Sequence, residues 1–201
     1  MRIILTRHGE TEGNLKKILC GHYDDKLNVE GKKQARKLGQ RLKNDAIDII
    51  YSSDLKRASD TAREIHKYHL KAPIIFTEKL RERDYGLLTG VKRSDIGFGN
   101  EPIPLSFFYR NRNKYKLEDN SALLNRAKEF IDIIYKKHKS DTVVLVSHGT
   151  FGRALISVIK GKKRMEKTKK AFGNTAVSIF DIDEDRNHKI ILHNCIKHLE
   201  E

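Results

Sequence analysis

Two apolar runs in this chain end in the same way. Ile3-Ile4-Leu5 stops at Thr6-Arg7-His8-Gly9, and Val143-Val144-Leu145-Val146 stops at Ser147-His148-Gly149-Thr150. A short, unbroken run of branched apolar residues reads as a buried strand. In open α/β sheets, ligands bind beyond the carboxyl ends of the strands. Two histidines delivered there from two strands can face each other across one pocket. The glycine after each lets the backbone turn tightly and approach a ligand. A single histidine in such a place is more often structural. Two in matching contexts, one preceded by arginine, point to chemistry.

The rest of the pattern supplies the layers. The spacing predicts strands at residues 3–6, 47–51, 73–76, 141–146, 175–182 and 189–194, and helices over 28–42, 55–68, 121–138 and 151–159. Val29, Ala35, Leu38 and Leu42 fall on one face of the first helix, and Asp54 is expected to cap the second. Strands alternating with amphipathic helices make an α/β fold around a mostly parallel central sheet. The 201 residues suit one domain spanning 1–201. Residues 91–118 hold two of the three prolines and the string LSFFYRNRNKYK, and are expected to form an irregular lid or short insertion. The run GKKRMEKTKK, residues 161–170, reads as a solvated basic loop.

The formal net charge of +14 calls for an anionic partner or a heavily solvated lysine surface. Aromatics interleaved with arginines in FFYRNRNKYK would suit nucleic acid. A binding protein, or one without catalysis, would have no use for a complete set of catalytic positions, so nucleic acid is not the expected partner. No apolar stretch is long enough to span a bilayer, and the run after Arg2 is too short for a signal-peptide core. Cys20 and Cys195 make no disulfide framework, which fits a reducing compartment and a cytoplasmic protein. Cys20 is expected to be an inert structural thiol. His66 and His69 are expected on the surface, and His188, His193 and His198 in a solvated tail. Their spacing gives no metal site.

The charged residues at the predicted strand ends suggest the reaction. Arg57 lies just past the second strand, near a helix N-terminus, where backbone N–H groups favour anions. Arg7, Arg57, His8 and His148 together form a cationic cluster, and the planar guanidinium matches phosphate oxygens two at a time. Neither a P-loop nor a His-Glu-x-x-His zinc pattern is present. A neutral imidazole can itself accept the phosphoryl group, forming phosphohistidine. A carboxylic acid such as Glu82 can protonate the leaving alkoxide, then activate water. This scheme uses no metal.

These residues resemble the histidine phosphatase superfamily, which includes cofactor-dependent phosphoglycerate mutases and many small phosphatases. LTRHGETEGN is similar to its signature, and the resemblance places His8 as phosphate acceptor, with Asn14 and Gly21 at phosphate-contacting positions. SSDLKRASDTA resembles the second-arginine motif, with Arg57 on the phosphate. LRERDYGLLTG resembles the proton-donor segment, with Glu82 as acid and Tyr85 retained from the mutases' ERHYG. VLVSHGTFGR resembles the second-histidine motif, with His148 and Gly149. The resemblance implies a three-layer α/β/α sandwich and a metal-independent phosphatase acting on a small phosphorylated substrate. The alternative it leaves is a phosphoglycerate mutase, with 2,3-bisphosphoglycerate as primer. Arg93 falls near a mutase substrate-binding lysine, and Arg110 and Arg112 are candidates for a second anionic group. The insertion is short for a mutase lid, which favours hydrolysis.

Overall fold

The computed structural model describes residues 1–99, 101, 103–165 and 172–200. Its centre is a six-stranded sheet made of β1 (Arg2–Arg7), β2 (Ile49–Ser53), β3 (Ile74–Thr77), β4 (Thr142–Ser147), β5 (Val177–Ile182) and β6 (His188–Cys195), in the order β3-β2-β4-β1-β5-β6. The first four strands by sequence run parallel, whereas β5 and β6 pair antiparallel along the β1 side. The helices are α1 (Glu12–Leu15), α2 (Val29–Leu42), α3 (Lys56–His66), α4 (Leu105–Tyr115), α5 (Asn120–Lys137) and α6 (Gly149–Ile159).

Side chains alternate across a strand, so each central strand feeds both layers. Ile4, Val144 and Val146 pack with Leu38 and Leu42 of α2 and with Ala58, Ala62 and Ile65 of α3. Ile3, Leu5, Val143 and Leu145 pack on the opposite side with Phe130 and Ile134 of α5 and Phe151 and Leu155 of α6. The result is the expected α/β/α sandwich. Among the described residues, no helix is long and apolar enough to cross a membrane.

Several local expectations need correcting. Val29 is 86% exposed, because the buried face of α2 runs through Gly31, Gln34, Ala35, Leu38, Gly39 and Leu42. Asp54 does not cap α3, which begins after Leu55 without a side-chain cap. Its carboxylate instead holds Arg81 in a two-pronged pair, Arg81 Nε lying 2.8 Å from Asp54 Oδ1. The stretch expected to be irregular contains α4, whose Phe108 joins Leu19, Tyr85, Leu88 and Leu117 in a third cluster. His198 is not in a solvated tail: it is buried, with Nε2 3.3 Å from Thr175 Oγ1. His69 is half-buried and donates to the Leu42 carbonyl. Within the basic run, Lys162, Lys163 and Arg164 are exposed and Met165 is buried, and residues 166–170 lie outside the described residues.

Candidate active site

The register of β1 and β4 builds the site. Arg7 aligns with Ser147, and the His8 N–H donates to the Ser147 carbonyl at 3.0 Å. The two strands therefore release His8 and His148 together, with ring centroids 5.1 Å apart and planes at 60°. Both residues are buried.

Their hydrogen bonds assign the tautomers. His8 Nδ1 lies 2.6 Å from the Gly9 carbonyl, which can only accept, so Nδ1 carries the proton and Nε2 keeps its lone pair. His148 Nδ1 accepts from Arg57 Nε at 3.2 Å, so the neutral ring carries its proton on Nε2. That Nε2 is buried without a partner among the described residues. One ring thus presents a lone pair and the other an N–H donor. Burial, reinforced by Arg57 and Arg7, holds His8 well below its usual value of 6.5. Burial, with Arg57 next, does the same to His148.

Arg57 is buried and held at three points. Besides His148 it donates to the carbonyls of Gly21 and Tyr23, each at 2.7 Å. Gly21 sits at φ +47, a left-handed conformation that favours glycine, and a Cβ there would crowd the Tyr85 ring at 3.0 Å. Arg7 donates to the Phe172 carbonyl at 2.8 Å, while its buried Nε has no partner among the described residues. Burial lowers the pKa of both arginines. Asn174 Nδ2 donates to the side-chain oxygen Oδ1 of Asn14 at 3.1 Å and to the main-chain carbonyl of His8 at 2.9 Å. The end of the Asn14 amide left for a ligand is therefore its NH2 donor.

Glu82 faces the start of α6. Its Oε2 accepts from Thr150 N–H and its Oε1 from Phe151 N–H, each at 2.9 Å, and Oε1 also accepts from its neighbour Arg83. A Cβ built on Gly149 would lie 3.5 Å from Arg7 Nε and 3.7 Å from Glu82 Oε2, so this bare position lies between the carboxylate and the guanidinium. Tyr85 is buried, with its hydroxyl 3.3 Å from Thr150 Oγ1, and burial raises its pKa.

The cavity enclosed by these groups measures about 150 Å³. Arg7, His8, Asn14, Gly21, Arg57, Glu82, Tyr85 and Gly149 line it, and His148 lies directly behind. The residues expected around the phosphoryl group are thus brought together. Arg93 reaches the cavity too, but Arg110 and Arg112 do not. Arg110 is exposed, and Arg112 stacks 4.7 Å from the Tyr109 ring and pairs with Asp119. Cys20 lines the cavity as a weak donor to Asp25, and burial pushes its thiol up to about 11, the mark of an inert sulfur. Sequence reasoning missed Arg153 and Asn174. Arg153 was visible in principle, since it follows Gly149 by four residues and so shares its face of α6. Asn174 had no local signal.

A family model described as the histidine phosphatase superfamily (branch 1) matches residues 3–195. The chain belongs to that superfamily. Among superfamily relatives, "Phosphoglycerate mutase-like protein 4" of Arabidopsis thaliana is 32% identical over 99% of this chain and 87% of its own length. "Metal-independent phosphoserine phosphatase" of the same plant is 37% identical over 76% of this chain and 66% of its own. Phosphoserine phosphatase of Entamoeba histolytica, solved in complex with 3-phosphoglyceric acid, superposes with a TM-score of 0.82 at 26% identity, covering 98% of each chain.

Proposed function

We propose that this protein is a metal-independent phosphatase that hydrolyses small phosphomonoesters through a phosphohistidine on His8. The observation that carries this reading is the complementary pair of imidazoles: a buried, neutral His8 with Nε2 free to attack, opposite His148 with Nε2–H free to donate.

The reaction runs in two balanced halves. His8 Nε2 attacks phosphorus in line, and the bond from phosphorus to the ester oxygen breaks. Arg7, Arg57, Asn14 and His148 stabilise the charge spread over the three remaining oxygens. The departing oxygen takes a proton from Glu82 Oε2, the oxygen with fewer hydrogen bonds. Glu82, now a carboxylate, removes a proton from water as that water attacks phosphorus. The phosphorus–Nε2 bond breaks, inorganic phosphate leaves, and both residues return to their starting states.

The cavity supports a small substrate. At about 150 Å³ it is below the ~300–1,000 Å³ of pockets that hold larger ligands. Arg93 and Arg153 extend its positive lining past the phosphate cluster, which suits a phosphorylated small acid such as the phosphoserine named for the relatives above. Two free cysteines agree with a cytoplasmic place of work.

Phosphorus NMR tests the proposal. The protein, in chelator, is incubated with phosphoserine or with 3-phosphoglycerate primed by 2,3-bisphosphoglycerate. Free phosphate is the expected product. Accumulation of 2-phosphoglycerate without free phosphate would make the protein a mutase. The His8→Ala variant is expected to lose turnover and any acid-labile phosphoenzyme, and near-normal activity in it would end the covalent mechanism.

A further inference from the structure

The proton donor sits on a segment with no regular structure of its own, yet proton transfer tolerates little misplacement. Two groups far away in sequence clamp that segment. Arg126, in the second turn of α5, donates through Nη1 to the carbonyls of Lys79 at 3.0 Å and Arg81 at 2.8 Å, and through Nη2 to the carbonyl of Glu82 itself at 3.3 Å. Its guanidinium also lies 3.9 Å from the ring centroid of Phe151, whose N–H binds the Glu82 carboxylate. Glu118, just before α5, grips Arg126 with both oxygens at 2.9 and 2.8 Å. The same Glu118 carboxylate accepts from Asp84 N–H at 3.0 Å, and the Glu118 N–H returns a bond to the Asp84 carbonyl at 3.0 Å.

The clamp therefore holds the main chain on both sides of Glu82 and the floor beneath its carboxylate. Neither Arg126 nor Glu118 lines the catalytic cavity. We infer that Arg126, oriented by Glu118, is a positioning residue for the proton donor Glu82. Arginine suits the task because its planar fork reaches several carbonyls and a carboxylate at once, which a lysine ammonium cannot do. This inference rests on the phosphatase reading of the site.

The test separates steps that need the acid from those that do not. The ratio kcat/KM reports phosphoryl transfer to His8 and departure of the leaving group. An alkoxide needs a proton to leave, whereas p-nitrophenolate does not. Arg126→Met is expected to lower kcat/KM for phosphoserine by about 10–100-fold and for p-nitrophenyl phosphate by about threefold or less. In a Glu82→Gln background the same change should add less than about twofold for phosphoserine, because the acid it positions is gone. Arg126→Lys should recover only part of the loss. Glu118→Gln, which keeps the shape of the pair, should shift the two substrates in the same unequal way and serves if Arg126→Met fails to fold. Equal losses on both substrates, or full additivity with Glu82→Gln, would overturn the positioning role. Wild-type protein inert toward both substrates would instead overturn the phosphatase reading.

Discussion

Burial makes the two facing histidines useful and also makes them costly in acid. Both have pKa values held well below 6.5 in the folded state, first by loss of water and then by the neighbouring arginines. Once unfolded, each returns to a value near 6.5. Below that pH the unfolded chain binds protons that the native chain refuses, so stability is greatest above it and declines as pH falls. The melting temperature is expected to fall between about pH 7 and pH 5, and replacing both His8 and His148 by Gln should flatten that fall. A melting curve with equal pH dependence in the two proteins would show that the histidines do not carry it. The same depressed values keep Nε2 of His8 unprotonated, and so nucleophilic, in mildly acidic solution.

At the scale of the element, α6 begins in an unusual way. His148 occupies the N-cap position but supplies no side-chain cap, and its ring Nδ1 instead accepts from Arg57 Nε. Glu82, from another segment, binds the exposed N–H groups of Thr150 and Phe151 in its place. The turn after Glu82 is equally committed. Gly86 has φ +49, and a Cβ there would fall 2.2 Å from the Tyr115 carbonyl oxygen at the end of α4. Gly86→Ala is expected to destabilise the protein by at least about 1–3 kcal/mol, the cost of the backbone conformation before the clash is added. Urea denaturation measures it, and an unchanged midpoint would refute it.

These elements also show what was legible in the sequence. Unbroken apolar runs and matched His-Gly turns read directly as β1, β4 and their histidines, because strand burial and ligand approach are local demands. The motif positions expected to meet, Arg57, Asn14 and Glu82, line one cavity. The α4 helix was hidden because its aromatics serve two surfaces: Phe108 faces the core cluster while Tyr109 is exposed, which blurs the helical stripe. In the sequence Arg126 and Glu118 are two charged residues eight positions apart, with no motif to mark them. Only the three-dimensional return of residues 79–84 onto α5 reveals what they hold.

For the whole molecule, the +14 charge sets the response to salt. Like charges spread over one small body repel, and added electrolyte screens them. Raising sodium chloride from about 0.02 to 0.2 M should raise the melting temperature, since the Debye length shrinks to under ~10 Å. Inorganic phosphate at equal ionic strength should raise it further by binding the folded site alone. A fall with chloride would mean that the surface ion pairs, such as Arg2–Asp181 and Lys67–Glu64, outweigh the repulsion.

The place of β1 within the sheet has a consequence for how the protein is made. It is the first strand by sequence but lies between β4 and β5, whose residues begin at Thr142 and Val177. At roughly 5–20 residues per second of synthesis, Ile3, Ile4 and Leu5 wait on the order of ten seconds or more for their neighbours to emerge. During that interval the nascent chain offers a sticky apolar segment to chaperones. It also carries His8 without the facing His148, so the pair of imidazoles is complete only after β4 has emerged.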